Sequence, residues 1–439
     1  MANIILTNSC NLKCPFCFAN ENNEQKRMIF DPLKSWKISS FIANNLFRFC
    51  GGEPTLTPDI INIAEALLDS GKNIMIMTNG IWPKSFHNFI QNLPHKYQVQ
   101  FFYLFNILHP SFYKEKDFKK IQSNLAIVNP LNTVLGFTIY ENNFEYQYLL
   151  DLAKEHRIKR LRWSIAAPNI SKTDILEPYF YKISERLCEM YELCNKMGLN
   201  LVGDCNYIQP CYFQKQQLTK LLINNKITFG CSSVSPVDIG PDGMAWRCFG
   251  LYSILRKSIK DFTDERKLER YFTRRIRLLN NMLAYKECKE CSYWQKGCDG
   301  GCFVYRIKKA FKQTPSLNLF PIDNDNDILK CRPYRSNDIV LKEDGEMTKI
   351  YFKEQLILEE DENTLVFLRE INGNLSILDL IKLWEKNFSS YEEAVITINE
   401  KCRELFEKDY ILLNYDFGIE PEERPKIFAN SEQIIDSMD

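Results

Sequence analysis

The sequence predicts an α/β fold: a partial (βα)6 barrel over residues 1–205, a cysteine-rich segment over 206–335, and a smaller mixed segment over 336–439. Three observations carry this. Short apolar runs alternate with helix-like segments about six times in the first 170 residues, the pattern of parallel βα units. Chemistry-bearing residues (Cys10, Gly51, Asn79 and Arg162) fall at or near the ends of those runs, where such a sheet places its site. The cysteines, 16 in all, gather near the start and in the middle of the chain.

The elements run in order. "ANIILT" at residues 2–7 reads as a short buried strand ending just before Cys10. "NLFRFCGGEP" is a second strand that breaks at Gly51–Gly52, and "NIMIMTNG" is a third, ending at Asn79. "QVQFFYLFNI", "NTVLGFTIY" and "IKRLRWSIAAP" are the fourth, fifth and sixth. "PDIINIAEALLDSG" and "FEYQYLLDLAKEH" space their apolar residues as amphipathic helices do. Connections between parallel strands are right-handed, so the series curls toward a barrel.

After about residue 205 the periodicity lapses. Residues 231–302 are rich in Gly and Cys, and Ser316–Lys330 reads as an irregular connector. "ERKLERYFTRRIRLL" places Leu268, Phe272, Ile276 and Leu279 on one helical face and its arginines on a solvated one. From residue 336 the chain reads hairpin, three short helices, strand, with the hairpin turn at Asp344–Gly345. Ser390 with Glu393 has the spacing of a capping box.

Charge balances at 56 Lys and Arg against 56 Asp and Glu, but residues 336–439 hold 11 against 25, a net of −14. That segment lacks the clustered cations a phosphate-binding surface needs, so nucleic acid is not an expected partner. No basic and apolar leader opens the chain and no run of eighteen apolar residues interrupts it, so a cytoplasmic protein without a membrane partner is expected. Cysteines in that setting bind metal more readily than they pair.

The spacing C-x-x-x-C-x-x-C of Cys10, Cys14 and Cys17, with Phe16 before the last, offers three thiolates. A disulfide pairs two and a tetrahedral zinc site takes four, whereas three suit a cluster with one iron left open. The triad resembles the signature of radical S-adenosylmethionine (SAM) enzymes. The resemblance implies a 4Fe–4S cluster on Cys10, Cys14 and Cys17, SAM chelating the open iron, and a 5′-deoxyadenosyl radical that takes hydrogen from an unactivated carbon. Gly51-Gly52-Glu53-Pro54 resembles the family's second motif, which contacts the methionine amine. Thr78 and Asn79 in "MTNG", and Arg162 in "LRWS", resemble further SAM contacts.

A second group resembles the SPASM domain, which implies two auxiliary 4Fe–4S clusters and three in total. By that resemblance Cys231, Cys248 and Cys302 hold the first. Cys205, Cys211 or an open iron completes it. Cys288, Cys291, Cys298 and Cys331 hold the second, although six residues separate Cys291 from Cys298 where five are usual. A zinc knuckle is the other reading of the C-x-x-C core. Cys50, Cys188, Cys194 and Cys402 read as small core residues.

The segment after residue 336 resembles a winged helix–turn–helix. In particular it resembles the RiPP recognition element, which binds precursors of ribosomally made, post-translationally modified peptides (RiPPs), here at the carboxyl end instead of the usual amino end. Together these resemblances imply a maturase that modifies a precursor peptide or protein, with ferredoxin or flavodoxin as electron donor. A SPASM enzyme acting on a sulfatase-like protein or small metabolite, and a zinc protein with a DNA-binding winged helix, are the alternatives.

Overall fold

Ala2–Thr7 is buried at all six positions, as a strand flanked on both sides requires. This strand, β1, pairs in parallel with β2 (Leu46–Gly51) on one side and with β8 (Val237–Ile239) on the other. The structure is a computed structural model that describes residues 2–17, 40–42, 44–166, 179–204, 208–223, 236–288, 290–294, 298–313, 317–336, 339–344, 347–352, 355–357 and 362–416.

From β2 the sheet continues in parallel and in sequence order through β3 (Asn73–Thr78), β4 (Phe101–Asn106), β5 (Thr133–Ile139), β6 (Arg160–Ile165) and the short β7 (Asn200–Gly203). Beyond β8, β9 (Met244–Trp246) and β10 (Lys257–Ser258) add antiparallel, making ten strands among the described residues. The six expected strands are present at the expected places. Strands β7 to β10 are too short, at two to four residues, for an alternation to register in the sequence.

Helices α1 (Ile60–Asp69), α2 (Lys84–Gln91), α3 (Glu115–Ile127), α4 (Gln147–Glu155) and α5 (Phe180–Lys196) connect successive parallel strands. Alternate strand residues form a buried layer, among them Phe49, Ile76, Phe105 and Leu161. Their neighbours Arg48, Met75 and Arg162 are only half-buried. A sheet with one closed and one partly open face thus carries the loops after β1, β2 and β3 side by side.

The chain divides into two compact units. The first comprises residues 1–269, 290–305 and 423–439, and the second 270–289 and 306–422. Cys331 and the strand β11 (Arg332–Arg335) therefore belong with the carboxyl-terminal helices and not with the cysteine-rich segment before them. The reason is pairing: β11 runs antiparallel to β15 (Ile411–Asn414), and the Ile377 N–H donates to the Cys331 carbonyl.

The second unit also holds a three-stranded antiparallel sheet, β12 (Ile339–Asp344), β13 (Met347–Phe352) and β14 (Gln355–Ile357), in which β13 is central. Three helices come next: α9 (Glu362–Glu370), α10 (Ile377–Trp384) and α11 (Tyr391–Glu407). Phe367, Leu380, Ile398 and Leu405 close a core around Cys331 and Cys402. Ser390 caps α11 through the Glu393 N–H, but the Glu393 carboxylate turns to Ser389 instead of completing the box. The reciprocal box stands on α10, between Ser376 and Asp379.

The arginines of α7 (Glu265–Met282) are not all solvated. Arg274 and Arg275 are 9% and 4% exposed. Arg275 pairs with Asp323 at 2.5 Å and Glu407 at 3.1 Å, and Arg274 with Glu407 at 2.7 Å and Asp409 at 2.9 Å. Acidic partners 48 to 135 residues away in sequence are invisible to a helical-face argument.

Candidate active site at the carboxyl ends of β1 to β3

The cysteine loop leaves β1 at Thr7 and is gripped by the chain leaving β2. The Gly52 N–H donates to the Thr7 carbonyl at 2.7 Å, and the Glu53 N–H to the Ser9 carbonyl at 2.8 Å. Such an approach needs residues without a side chain. A Cβ on Gly51 would stand 2.3 Å from the Thr7 oxygen, and one on Gly52 would stand 2.2 Å from the Ser9 oxygen. Gly51 also has a φ of +133°, a region side chains rarely enter. The glycines thus bring backbone close to the cysteine loop itself.

Glu53 is fully buried. Its Oε1 accepts from the Thr55 hydroxyl at 2.7 Å and the Thr78 hydroxyl at 2.8 Å, and its Oε2 accepts from the Asn79 N–H at 2.7 Å. Burial raises its pKa, and these donors oppose the rise. Pro54 opens the short turn after it. Thr78 passes the network on, accepting from the Gly80 N–H at 3.0 Å and the Trp82 indole at 2.9 Å.

Asn79 closes the circuit back to the cysteines. Its Nδ2 donates to the Cys10 Sγ at 3.6 Å and to the Asn11 Oδ1 at 2.7 Å, while its Oδ1 accepts from the Ile81 N–H at 2.9 Å. The Leu12 N–H also donates to the Cys10 Sγ, at 3.4 Å, and the Cys17 N–H bonds the Cys14 carbonyl at 3.2 Å. Burial first, then the neighbouring Cys17 and Cys10 thiols, push the Cys14 pKa up to about 12. Cys10 is raised too, by surrounding protein, with the Leu12 and Asn79 donors opposing. The three sulfurs lie within electrostatic reach of one another.

Among the described residues no three His, Cys, Asp or Glu converge on the point a single ion would occupy. A four-iron cluster does not ask for that, since it gives each thiolate its own iron. Three mutually close thiols, one of them already accepting two N–H donors, fit such a group. Iron would have to displace their protons on binding.

Aromatic rings flank the loop. Phe16 lies 5.2 Å from Tyr140, the residue after β5, and Tyr140 lies 6.0 Å from Phe112. Tyr140 had no signal in the sequence beyond its place at a strand end. Arg162, on β6, pairs with Asp204 just past β7. Among the described residues no histidine joins a metal-ligating group: the Nδ1 of His109 bonds the Ser111 hydroxyl and burial lowers the His156 pKa.

The later cysteines are distributed over both units. Cys205 and Cys231 lie outside the described residues. In the first unit, Cys248 comes after β9, and Cys291 precedes residues 295–297, which lie outside the described residues. Cys298 opens a turn in which the Gly300 N–H donates to its Sγ at 3.4 Å, and Cys302 precedes the helix Phe303–Gln313. Cys211 lies beside Gln209, whose Nε2 donates to the Gly300 carbonyl of that turn at 3.2 Å. In the second unit, Cys288 is 5% exposed, and Cys331, fully buried, has its pKa pushed up to about 12 by burial. Cys188, Cys194 and Cys402 are core residues, and Cys50 is half-buried.

Residues 4–123 match the family model of the radical SAM superfamily. This stretch, about a quarter of the chain, is similar to radical SAM domains. That superfamily implies a 4Fe–4S cluster and SAM. Curated relatives match over shorter stretches. The 7,8-dihydro-6-hydroxymethylpterin dimethyltransferase of Methanocaldococcus jannaschii is 35% identical over 103 residues, 21% of this chain and 19% of that protein. The 7-carboxy-7-deazaguanine synthase of Haemophilus influenzae is 36% identical over 72 residues, 16% of this chain and 33% of that protein. The matches thus span at most a third of these relatives. In fold, the chain is similar to Streptococcus suis SuiB over a longer stretch. The match to SuiB bound to the precursor peptide SuiA has a TM-score of 0.52 at 19% identity, covering 70% of this chain and 72% of that one. The match to SuiB bound to SAM has a TM-score of 0.52 at 17% identity, covering 70% and 74%.

Proposed function

We propose that this radical SAM protein modifies a ribosomally made peptide or protein, beginning with removal of hydrogen from carbon. The observation that carries the reading is the cysteine loop of Cys10, Cys14 and Cys17, pinned by Gly52, Glu53 and Asn79 at the ends of three adjacent parallel strands. With a reduced 4Fe–4S cluster on those thiolates, SAM supplies a carbon-centred radical that side chains cannot generate. The chain's own contribution is placement. Gly51 and Gly52 fix the loop, Glu53 locks the second loop to the third, and Phe16 with Tyr140 walls one side.

A peptide substrate is favoured by the second unit. Strands β12 and β14 each have one partner among the described residues, leaving edges to which an extended peptide can add. The net charge of −14 over residues 336–439 favours a leader with basic residues. Likeness to SuiB, whose structure was solved with a precursor peptide, supports the same reading. Two auxiliary clusters on Cys231, Cys248 and Cys302 and on Cys288, Cys291, Cys298 and Cys331 belong to this proposal, as do SAM contacts from Gly51, Gly52, Glu53, Pro54, Thr78, Asn79 and Arg162. So do a ferredoxin or flavodoxin donor and a cytoplasmic setting.

Anaerobic co-expression with short peptides encoded beside the gene, read by mass spectrometry, tests the proposal. A mass change on a peptide that disappears in the Cys10→Ala/Cys14→Ala/Cys17→Ala protein is the expected result. Unchanged peptides, with SAM turnover stimulated by a small metabolite instead, would overturn it. Reconstituted protein should hold about 12 irons, and about eight in the triple variant. Iron near four with zinc present would remove the auxiliary clusters.

A further inference from the structure

Asn79 does more than fill a turn, because its side chain faces a sulfur. Its carboxamide is oriented by three bonds: the oxygen accepts from the Ile81 N–H at 2.9 Å, and the nitrogen donates to the Asn11 Oδ1 at 2.7 Å and the Cys10 Sγ at 3.6 Å. Asn11 is held in turn, its Nδ2 donating to the Ile81 carbonyl at 2.8 Å. Behind Asn79, the buried Glu53 carboxylate fixes its backbone N–H at 2.7 Å. The amide is 9% exposed, so it meets the sulfur in a partly dry environment where hydrogen bonds are electrostatically stronger.

We propose that Asn79 is a positioning residue that tunes the triad cluster: its Nδ2–H donates to the Cys10 thiolate and raises the cluster's reduction potential. This rests on the reading that Cys10, Cys14 and Cys17 hold a 4Fe–4S cluster. Hydrogen bonds to cluster sulfurs withdraw electron density from the thiolate and favour the reduced state, and outer partners of metal ligands commonly change function when removed. The Leu12 N–H gives Cys10 a second donor at 3.4 Å that no side-chain substitution removes, so Asn79 is the adjustable one. The Glu53 bond makes the arrangement specific, since it ties the loop after β3 to the loop after β2 and so sets how far Asn79 stands from the sulfur.

The test compares the parent with Asn79→Leu, Asn79→Ala and Asn11→Ala, each reconstituted anaerobically, by iron content and by electron paramagnetic resonance during a potentiometric titration. The signal missing from the Cys10→Ala/Cys14→Ala/Cys17→Ala protein belongs to the triad cluster. Both Asn79 variants should retain iron and show that signal at a more negative potential, with the reduced-to-oxidised ratio at the parent midpoint about tenfold lower. Asn11→Ala keeps the sulfur donor and removes only one of the bonds that orient it, so its shift should be clearly smaller than that of the Asn79 variants. In heavy water, the Asn79 variants should lack one exchangeable proton coupling that the parent shows. An unchanged potential in both Asn79 variants, or an equal shift in Asn11→Ala, overturns the tuning role. Absence of any triad-dependent signal in the parent would instead overturn the cluster reading beneath it. Should Asn79→Leu fail to load, Asn79→Ala carries the comparison, because it adds no bulk.

Discussion

The Oε2 of Glu53 accepts the backbone N–H of Asn79 at 2.7 Å, joining two strand ends that are 26 residues apart in sequence. Glu53→Ala would strand the Thr55 and Thr78 hydroxyls and the Thr55 and Asn79 N–H groups in a buried setting. A loss of about 3–4 kcal/mol is expected from these unsatisfied buried donors. Glu53→Gln, which keeps one acceptor oxygen, should lose about 1 kcal/mol. Urea denaturation of the apo-protein measures both, and equal stability of Glu53→Ala and parent would show the network to be energetically idle.

Gly52→Ala places a Cβ 2.2 Å from the Ser9 carbonyl oxygen, which is backbone and cannot swing aside. The cysteine loop must shift, at a cost of about 1–3 kcal/mol. Iron should fall by about four per chain while helix content stays at the parent's value. Full iron loading in Gly52→Ala would mean that the loop tolerates displacement.

Asp238 lies against Asn3, which donates to it at 2.8 Å, and burial pushes its pKa up to about 7 from an ordinary 3.8. A carboxyl whose folded pKa lies above its unfolded one holds its proton better in the native state. Its stabilising contribution is therefore complete below the unfolded value and is lost as pH rises from about 4 to about 7. Asp238→Asn removes the titration. Relative to the parent, this variant should gain stability between pH 5 and pH 8, by on the order of 2 kcal/mol. A stability difference that does not change across that window would assign the group an ordinary pKa.

Arg275 is 5% exposed in its side chain and bridges Asp323 and Glu407. Arg275→Ala leaves Asp323 without its cation and Glu407 with Arg274 alone, an expected loss of about 3 kcal/mol. Arg275→Met, which restores volume, should lose less. Thermal unfolding of the apo-protein separates the two, and an Arg275→Met as unstable as Arg275→Ala would place the whole loss in the missing ion pairs.

Cutting the chain after Arg335 removes β15, the partner of β11, and with it the core that encloses Cys331. In the full apo-protein Cys331 is fully buried, with a pKa near 12, and should resist alkylation. In the shortened protein it should label at rates close to those of the exposed Cys10. Protection of Cys331 in the shortened chain would show that β11 folds without β15. A test of peptide recognition by truncation therefore also disturbs a candidate cluster ligand, and substitutions along β12 are the cleaner instrument.

Much of the parallel sheet and its cysteine loop was legible because the signals are local. Six apolar runs of six or seven residues stand out by composition, and the spacing of Cys10, Cys14 and Cys17 needs no third dimension. The features that escaped were long-range. The roles of Glu53 and Asn79 toward the cysteine loop depend on hydrogen bonds between strand ends, and Arg275 reads as solvated until Asp323 and Glu407 arrive beside it. The glycines were found by motif, and their closeness to the Thr7 and Ser9 carbonyls is a long-range feature that the motif does not carry.

Strand β1 takes its second partner from β8, so that Asn3 bonds a residue 235 positions downstream. During synthesis at about 5–20 residues per second, that partner emerges roughly 10–50 s after β1 itself. Until then the strand that leads into the cysteine loop presents an unpaired edge to the cell, an invitation to wrong pairing and to oxidation of three neighbouring thiols. Covering that edge, and keeping the thiols reduced until β8 pairs, would spare the chain both hazards.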